Sequence, residues 1–182
     1  NVAAAGALPL TAVSLEDFRL GVLDQAGEAA LLSSILKKAV LALPPETLDE
    51  ITDRWLSYRT GRTSNGGLLR LLPEEQAFIE EAPTLSIGFI IDYQPFSYLE
   101  NGRGQGLAVD LAQYISASTG LSFEPVYDNW AKLLQRFKSG DLDIITNISR
   151  TEERSEFTLF SDEYHRIPNA VFVRSGFGPY RD

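Results

Sequence analysis

Leu85-Ser86-Ile87-Gly88-Phe89-Ile90-Ile91 and Asn147-Ile148-Ser149-Arg150-Thr151-Glu152-Glu153-Arg154 decide the fold of this chain. The first is an apolar run that reads as a buried strand entering a turn. The second reads as a strand that exits into a helix N-terminus carrying hydroxyls, amides and an arginine. Two such strand ends, side by side in a parallel sheet, form one wall of a small-molecule site.

From Thr84 onward, strand and helix alternate. Strands are predicted at 85–91, 122–126, 142–147 and about 169–174. Helices are predicted at 107–119, 129–139 and from 152. Gly120 and Gly140 fall where helix C-caps belong, and Asp128 suits an N-cap before Trp130. Alternation of this kind predicts a parallel sheet covered by helices. The strands are near-continuous apolar runs, as burial on both faces requires.

Upstream, Pro73 to about Glu81 reads as a helix with Phe78 and Ile79 inward, ended by Pro83. Residues 58–72 read as a linker, because Arg59 to Gly67 carries no apolar period. Pro45-Glu46 opens a helix with the stripe Leu48, Ile51, Trp55 and Leu56. Before it, Glu28 to Leu43 places Leu31, Leu32, Ile35, Leu36, Ala39 and Val40 on one face, and Pro44-Pro45 stops it. Phe18-Arg19-Leu20-Gly21-Val22 alternates as a short strand. No short-period repeat is visible.

Composition narrows the function. The 182 residues are 44% hydrophobic and 23% charged, which predicts a packed core. Sixteen Lys and Arg face 25 Asp and Glu, for a net charge of −9. That surface opposes nonspecific binding to nucleic acid or anionic membrane. Cysteine is absent, which removes disulfides, thiolate nucleophiles and Cys-ligated metals. The chain has no methionine, no signal peptide and no apolar run near the ~20 residues of a membrane span. It is therefore expected to be a piece of a longer protein, with any membrane segment outside it.

Other motifs have plain structural readings. The aromatics of Asp92-Tyr93-Gln94-Pro95-Phe96-Ser97-Tyr98 either pack on the next helix, the preferred reading, or cover a ligand. The glycines of Asn101-Gly102-Arg103-Gly104-Gln105-Gly106 match neither phosphate-binding pattern, so a hairpin or turn is expected. Asp110, Asp141 and Asp143 read as solvated or capping acids, and His165 as structural. Asn147-Ile148-Ser149 is discounted as a chance glycosylation match. No catalytic constellation, metal cluster or cofactor motif is found. Ser149-Arg150-Thr151-Glu152 leaves two readings open: a well-capped helix, or a turn that presents N–H groups and hydroxyls to an anion. In the second reading Arg154 adds a bidentate fork.

In order and spacing these motifs resemble a known family. They are Tyr93-Gln94-Pro95-Phe96, Gly106-Leu107-Ala108-Val109-Asp110-Leu111, Trp130 with Leu133-Leu134, and Gly140-Asp141-Leu142-Asp143. Thr151-Glu152-Glu153-Arg154 and Phe160-Ser161-Asp162-Glu163-Tyr164 follow. Residues 73–174 are similar to the first lobe of extracellular solute-binding proteins of family 3, especially the Venus-flytrap sensor domains of bacterial transmembrane histidine kinases. Residues 1–57 resemble the return strand and closing helices of a preceding flytrap domain.

The resemblance implies an α/β fold: a type II periplasmic-binding-protein-like lobe, mainly parallel, with helices on both faces. It implies three segments: 1–57 as the end of one domain, 58–72 as linker, and 73–182 as the first lobe of the next. Carried over residue by residue, Arg154 would hold a ligand carboxylate. Ser149 and Thr151 would add hydroxyl and backbone contacts, Asn147 a side-chain contact, and Tyr93 and Trp130 apolar walls. Ile90 stands where amino-acid binders often place an acid for the ligand ammonium, which leaves other small carboxylates open.

The expected protein is a periplasmic, non-enzymatic sensor fragment that binds a small carboxylate or amino-acid-like solute. Membrane attachment would come only through segments outside this chain. Alternatives are the binding protein of an amino-acid transporter, or the flytrap region of a periplasmic enzyme. Residues 18–57 are expected to cover the lobe, either within one chain or through a swapped homodimer.

Overall fold

The computed structural model describes residues 15–24, 28–56 and 68–168. The strand expected near 169–174, most of the linker and the first residues of the chain lie outside this set. The elements run β1 (Leu15–Leu23), α1 (Ala29–Ala42), α2 (Pro45–Trp55), α3 (Pro73–Glu81), β2 (Leu85–Ile90), β3 (Asp92–Tyr93), β4 (Ser97–Glu100) and β5 (Arg103–Gln105). They continue with α4 (Leu107–Thr119), β6 (Phe123–Asp128), α5 (Trp130–Ser139), β7 (Ile144–Ile148), α6 (Glu152–Ser155), β8 (Thr158–Phe160) and β9 (His165–Pro168).

The main sheet has the order β6-β2-β7-β1-β8, with β9 also paired to β1. β2 is parallel to both β6 and β7. β1 is antiparallel to β7, β8 and β9, so every other strand of this sheet runs in one sense. The result is a mostly parallel α/β sheet. Alternation along β2 feeds two cores. Leu85, Ile87 and Phe89 join α1 and α4 on one face, while Ile90 joins Leu133 and Phe137 of α5 on the other. Helices therefore cover both faces.

Residues 15–56 pack on the lobe within this one chain. β1 enters the middle of the sheet, and Leu32, Ile35, Leu36, Ala39 and Val40 of α1 are buried in the same core as Leu107, Leu111 and Ile115 of α4. Both apolar stripes that the sequence shows upstream are thus covered. Arg19 fixes the strand end, donating to Asp17 at 2.7 Å and to the Ser161 carbonyl at 3.0 Å.

Details depart from the sequence reading in instructive ways. The N-cap of α5 is Asn129, whose side chain accepts from the Lys132 N–H. Asp128 is still in β6, and it accepts from the Asn129 N–H at 2.8 Å and pairs with Lys132 at 3.3 Å. Asp110 is neither capping nor solvated. Its Oδ2 accepts from Trp55 Nε1 at 2.8 Å and Arg54 Nη1 at 2.7 Å, which pins α2 to α4. Asp143 accepts from the backbone and hydroxyl of Ser86. Phe96 turns toward the β1–β9 pair, with its ring edge-on to Phe18 at 5.0 Å and 5.6 Å from His165. The glycine-rich segment is indeed a hairpin, β4–β5, turned by Asn101 and Gly102 at positive φ.

Candidate functional site

The wall is made by three parallel strand ends. Ile90 of β2 lies opposite Asp128 of β6, and Gly88 lies opposite Ile145 of β7. All three strands therefore release their following loops at one rim. After β2 comes the β3–β4 hairpin, after β6 comes the start of α5, and after β7 comes the turn into α6.

The β7 exit is shaped by Asn147, a non-glycine residue at φ +55°. Asn and Asp are the residues that best tolerate this region. The Asn147 side chain fixes the turn. Its Nδ2 donates to Ser97 Oγ at 3.1 Å, and its Oδ1 accepts from Tyr164 O–H at 2.8 Å. The Asn147 N–H also donates to the Tyr164 oxygen, at 2.9 Å. Ser97 in turn donates to the Ile90 carbonyl at 2.9 Å. One network thus joins β2, the hairpin, β7 and the segment before β9. It is sealed from water: Ser97, Asn147 and Tyr164 are all buried. Burial pushes the Tyr164 phenol well above its ordinary range, so it stays protonated and can donate.

Downstream, Thr151 caps α6, accepting the Arg154 N–H on Oγ1 at 3.2 Å. The Arg154 guanidinium donates through Nη1 to the Ser149 carbonyl at 2.9 Å and lies 5.1 Å over the Trp130 ring. Among the described residues no carboxylate pairs with it. A guanidinium over an indole ring gains a cation–π contact, and its fork of N–H donors matches a carboxylate. Of the two readings of Ser149 to Glu152, the structure displays the well-capped helix start.

The six residues expected in the site all lie at or just beyond the strand ends that form this rim. Arg154, Trp130, Ser149 and Thr151 form one corner. Tyr93 is half-buried on the neighbouring hairpin, with its ring 5.2 Å from Phe96 and 5.9 Å from Phe18. Asn147 differs: its amide is engaged by Ser97 and Tyr164, so it shapes the turn from behind. The sequence reading missed Ser97 and Tyr164 as supports. The signal was a Tyr inside Phe160-Ser161-Asp162-Glu163-Tyr164 and an Asn ending an otherwise apolar strand. Among the described residues no group of His, Cys, Asp and Glu is placed to hold a metal ion, and no helix is long and apolar enough to cross a membrane.

Fold and rim together define a binding lobe of the periplasmic-binding-protein type. Residues 85–179 match the bacterial extracellular solute-binding proteins, family 3, and the chain belongs to that family. It is similar to Sensor protein EvgS of Escherichia coli, 28% identical over 148 residues that cover 80% of this chain and 12% of that protein. It is also similar to a probable histidine-binding protein of Campylobacter jejuni, 30% identical over 47% of this chain and 34% of that protein. A solved structure titled Ancestral Cationic Amino Acid Solute Binding Protein (AncCDT-1) is 29% identical, with a TM-score of 0.39 over 44% of this chain and 35% of that one. The chain spans about an eighth of the sensor and a third of the histidine-binding relative.

Proposed function

We propose that this chain is part of a periplasmic ligand-sensing region of a membrane-anchored receptor, and that its rim forms one wall of a cleft for a small carboxylate or amino-acid-like solute. The observation that carries this is the Arg154 guanidinium, which lies over the Trp130 ring beside the Ser149–Thr151 turn and has no carboxylate partner among the described residues. Arg154 holds the carboxylate, Ser149 and Thr151 add polar contacts, and Tyr93 and Trp130 supply apolar walls. A second lobe closes over the ligand, and closure shifts a two-state equilibrium read by an output domain. The site binds and releases without turnover.

The sensor reading is favoured over a transporter's binding protein by the reach of the similarity. The alignment to the sensor covers 80% of this chain and so takes in residues before 85, where the family match begins. The alignment to the histidine-binding protein covers 47%.

Calorimetry on this chain and on the two-lobed region containing it tests the reading. The two-lobed region should bind an amino acid or small carboxylate and lose that binding with Arg154→Ala. The single lobe should bind weakly or not at all. Micromolar binding to the single lobe, or indifference to Arg154→Ala, would overturn the assignment.

A further inference from the structure

The β3–β4–β5 hairpin that follows β2 has two faces, and both are held. Tyr93 pairs with Ser97, Leu99 with Gly104, and Tyr98 with both Asp92 and Gln105. Side chains alternate along a strand, and paired residues share a face. Tyr93, Ser97 and Gly104 therefore lie on one face of the hairpin, and Tyr98 lies on the other.

The first face rests on the strand ends. Ser97 accepts from Asn147 of β7 at 3.1 Å and donates to the Ile90 carbonyl of β2 at 2.9 Å. Gly104 meets β6, where the Tyr127 hydroxyl fills the place that a side chain at 104 would take. The Tyr127 ring is itself stacked on Phe89 of β2, with 5.3 Å between centroids. The hairpin is thus seated on all three strands that form the rim.

The second face is held by a distant part of the sequence. Trp55, the last residue of α2, meets Tyr98 in a T-shaped contact, with centroids 6.0 Å apart and planes at 86°. Aromatic pairs favour this arrangement. The indole N–H donates to Asp110 in the first turn of α4 at 2.8 Å, which fixes the direction of the ring. Tyr98 follows Ser97 directly in β4, so the α2 contact and the rim contact bear on one strand from opposite sides.

We propose that Trp55 is a positioning residue for the binding site: acting through Tyr98, it seats the hairpin against the strand ends and so sets where Tyr93 stands at the rim. The proposal rests on the reading of that rim as a ligand wall. Residues 15–56 then do more than cover the lobe, because the geometry of the site depends on α2.

The test has two arms. In this chain, amide hydrogen exchange and NMR shifts read the seating with no solute present. Trp55→Leu should speed exchange at the hairpin amides, Leu99 among them, at least tenfold more than at Leu133 and Phe137 of α5. It should also move the Asn147 side-chain amide signals on the opposite face. Trp55→Phe keeps a ring but loses the N–H, and should recover most of both effects. Tyr98→Leu removes the same contact from the hairpin side. It should reproduce the pattern, even where Trp55→Leu fails to fold, and the double variant should add nothing further. Uniform acceleration across the chain, or additive effects, would make Trp55 a general stabiliser and overturn the proposal. In the two-lobed region, calorimetry with each of the twenty common L-amino acids reads the consequence. Any that binds should bind at least fivefold more weakly with Trp55→Leu and within twofold of the parent with Trp55→Phe. Parent-like affinity in Trp55→Leu overturns the proposal. Failure of the parent to bind any of them overturns the ligand-wall reading, and the role in binding with it, while the exchange arm still decides the seating.

Discussion

The side-chain amide of Asn147 donates to the hydroxyl of Ser97 at 3.1 Å, which joins the end of β7 to the hairpin that follows β2. Two loops far apart in sequence are thereby held at one rim. Tyr164 completes the arrangement, since its oxygen both accepts the Asn147 N–H and donates to Oδ1.

Removing the Tyr164 hydroxyl should therefore loosen the rim without opening a cavity. Tyr164→Phe leaves a buried N–H and a buried amide oxygen unmet, at a cost of about 1–3 kcal/mol. Chemical denaturation should show that loss. Ligand affinity of the two-lobed region should fall with it, because the turn carrying Arg154 is less well fixed. An unchanged midpoint would mean water replaces the phenol at no cost.

Arg154→Lys keeps the charge but loses the planar guanidinium over Trp130 and its two-pronged donor. An affinity loss of roughly ten- to a hundredfold is expected, from the ~1.5–3 kcal/mol typical of hydrogen bonds to charged groups. Calorimetry should show it with no change in melting temperature. Equal affinity in the lysine variant would mean that the cation acts only as a point charge.

The parts of this architecture that were legible in the sequence are those set by local chemistry. Apolar runs at 85–91 and 142–147, the glycine C-caps at Gly120 and Gly140, and the prolines at 44, 45, 73 and 83 mark elements through backbone sterics, which act within a few residues. Gly120 and Gly140 do take the left-handed conformation, at φ +87° and +84°. What stayed hidden was long-range pairing of polar groups. Nothing near Asp110 announces Trp55, fifty-five positions away. Nothing near Glu75 announces Lys38. The site was half legible for the same reason: Arg154 and Thr151 act within one turn, whereas Asn147 takes its role from Ser97 and Tyr164.

Glu75 illustrates that hidden class. Its side chain is only 1% exposed, yet it carries a charge, accepting from Lys38 Nζ at 2.7 Å, from Ser34 Oγ at 2.7 Å and from the Leu72 N–H at 2.7 Å. Burial alone would raise its pKa, but the Lys38, Ser34 and Leu72 contacts outweigh that and hold it below the ordinary carboxylate value. It clamps α3 to α1. Glu75→Gln strands Lys38 and should destabilise by about 2–3 kcal/mol, below the full cost of breaking a buried pair because Lys38 is partly exposed. A lowered folded pKa means this contribution is present above the unfolded carboxylate pKa and fades as pH falls through the folded one. The variant's deficit in urea midpoint should therefore be largest near neutrality and shrink in acid.

Gly106 sits at φ +118°, and a Cβ there would lie 2.6 Å from the Phe96 carbonyl oxygen and 2.9 Å from that of Pro95. Those carbonyls accept the first N–H groups of α4, from Leu107 to Pro95 and from Ala108 to Phe96. The hairpin and the helix start meet too closely here for a side chain. Gly106→Ala combines backbone strain with a backbone clash and should cost about 2–4 kcal/mol. Thermal unfolding should show the drop, and hydrogen exchange should place the loosened amides at the start of α4.

His165 gives the chain a pH limit of its own. The ring is buried on β9 between Phe18 and Phe96, at 6.5 and 5.6 Å, and its Nε2 has no partner. Burial lowers its pKa from 6.5 to about 4. Above pH 6.5 the folded and unfolded chains both hold it neutral, and it contributes no pH dependence. Below 6.5 the unfolded chain takes up a proton that the folded chain refuses, so stability is lost progressively down to about pH 4. The loss is of order 3 kcal/mol if the shift is fully expressed. It falls on the β1–β9 pair, where the two strands and the Phe96 loop meet. His165→Gln should be less stable than the parent at pH 7.5, because an amide replaces an aromatic ring in an apolar cage. Between pH 6.5 and 4.5, however, its urea midpoint should fall less steeply than the parent's. Parallel slopes for the two proteins would assign the acid sensitivity to carboxylates such as Glu75.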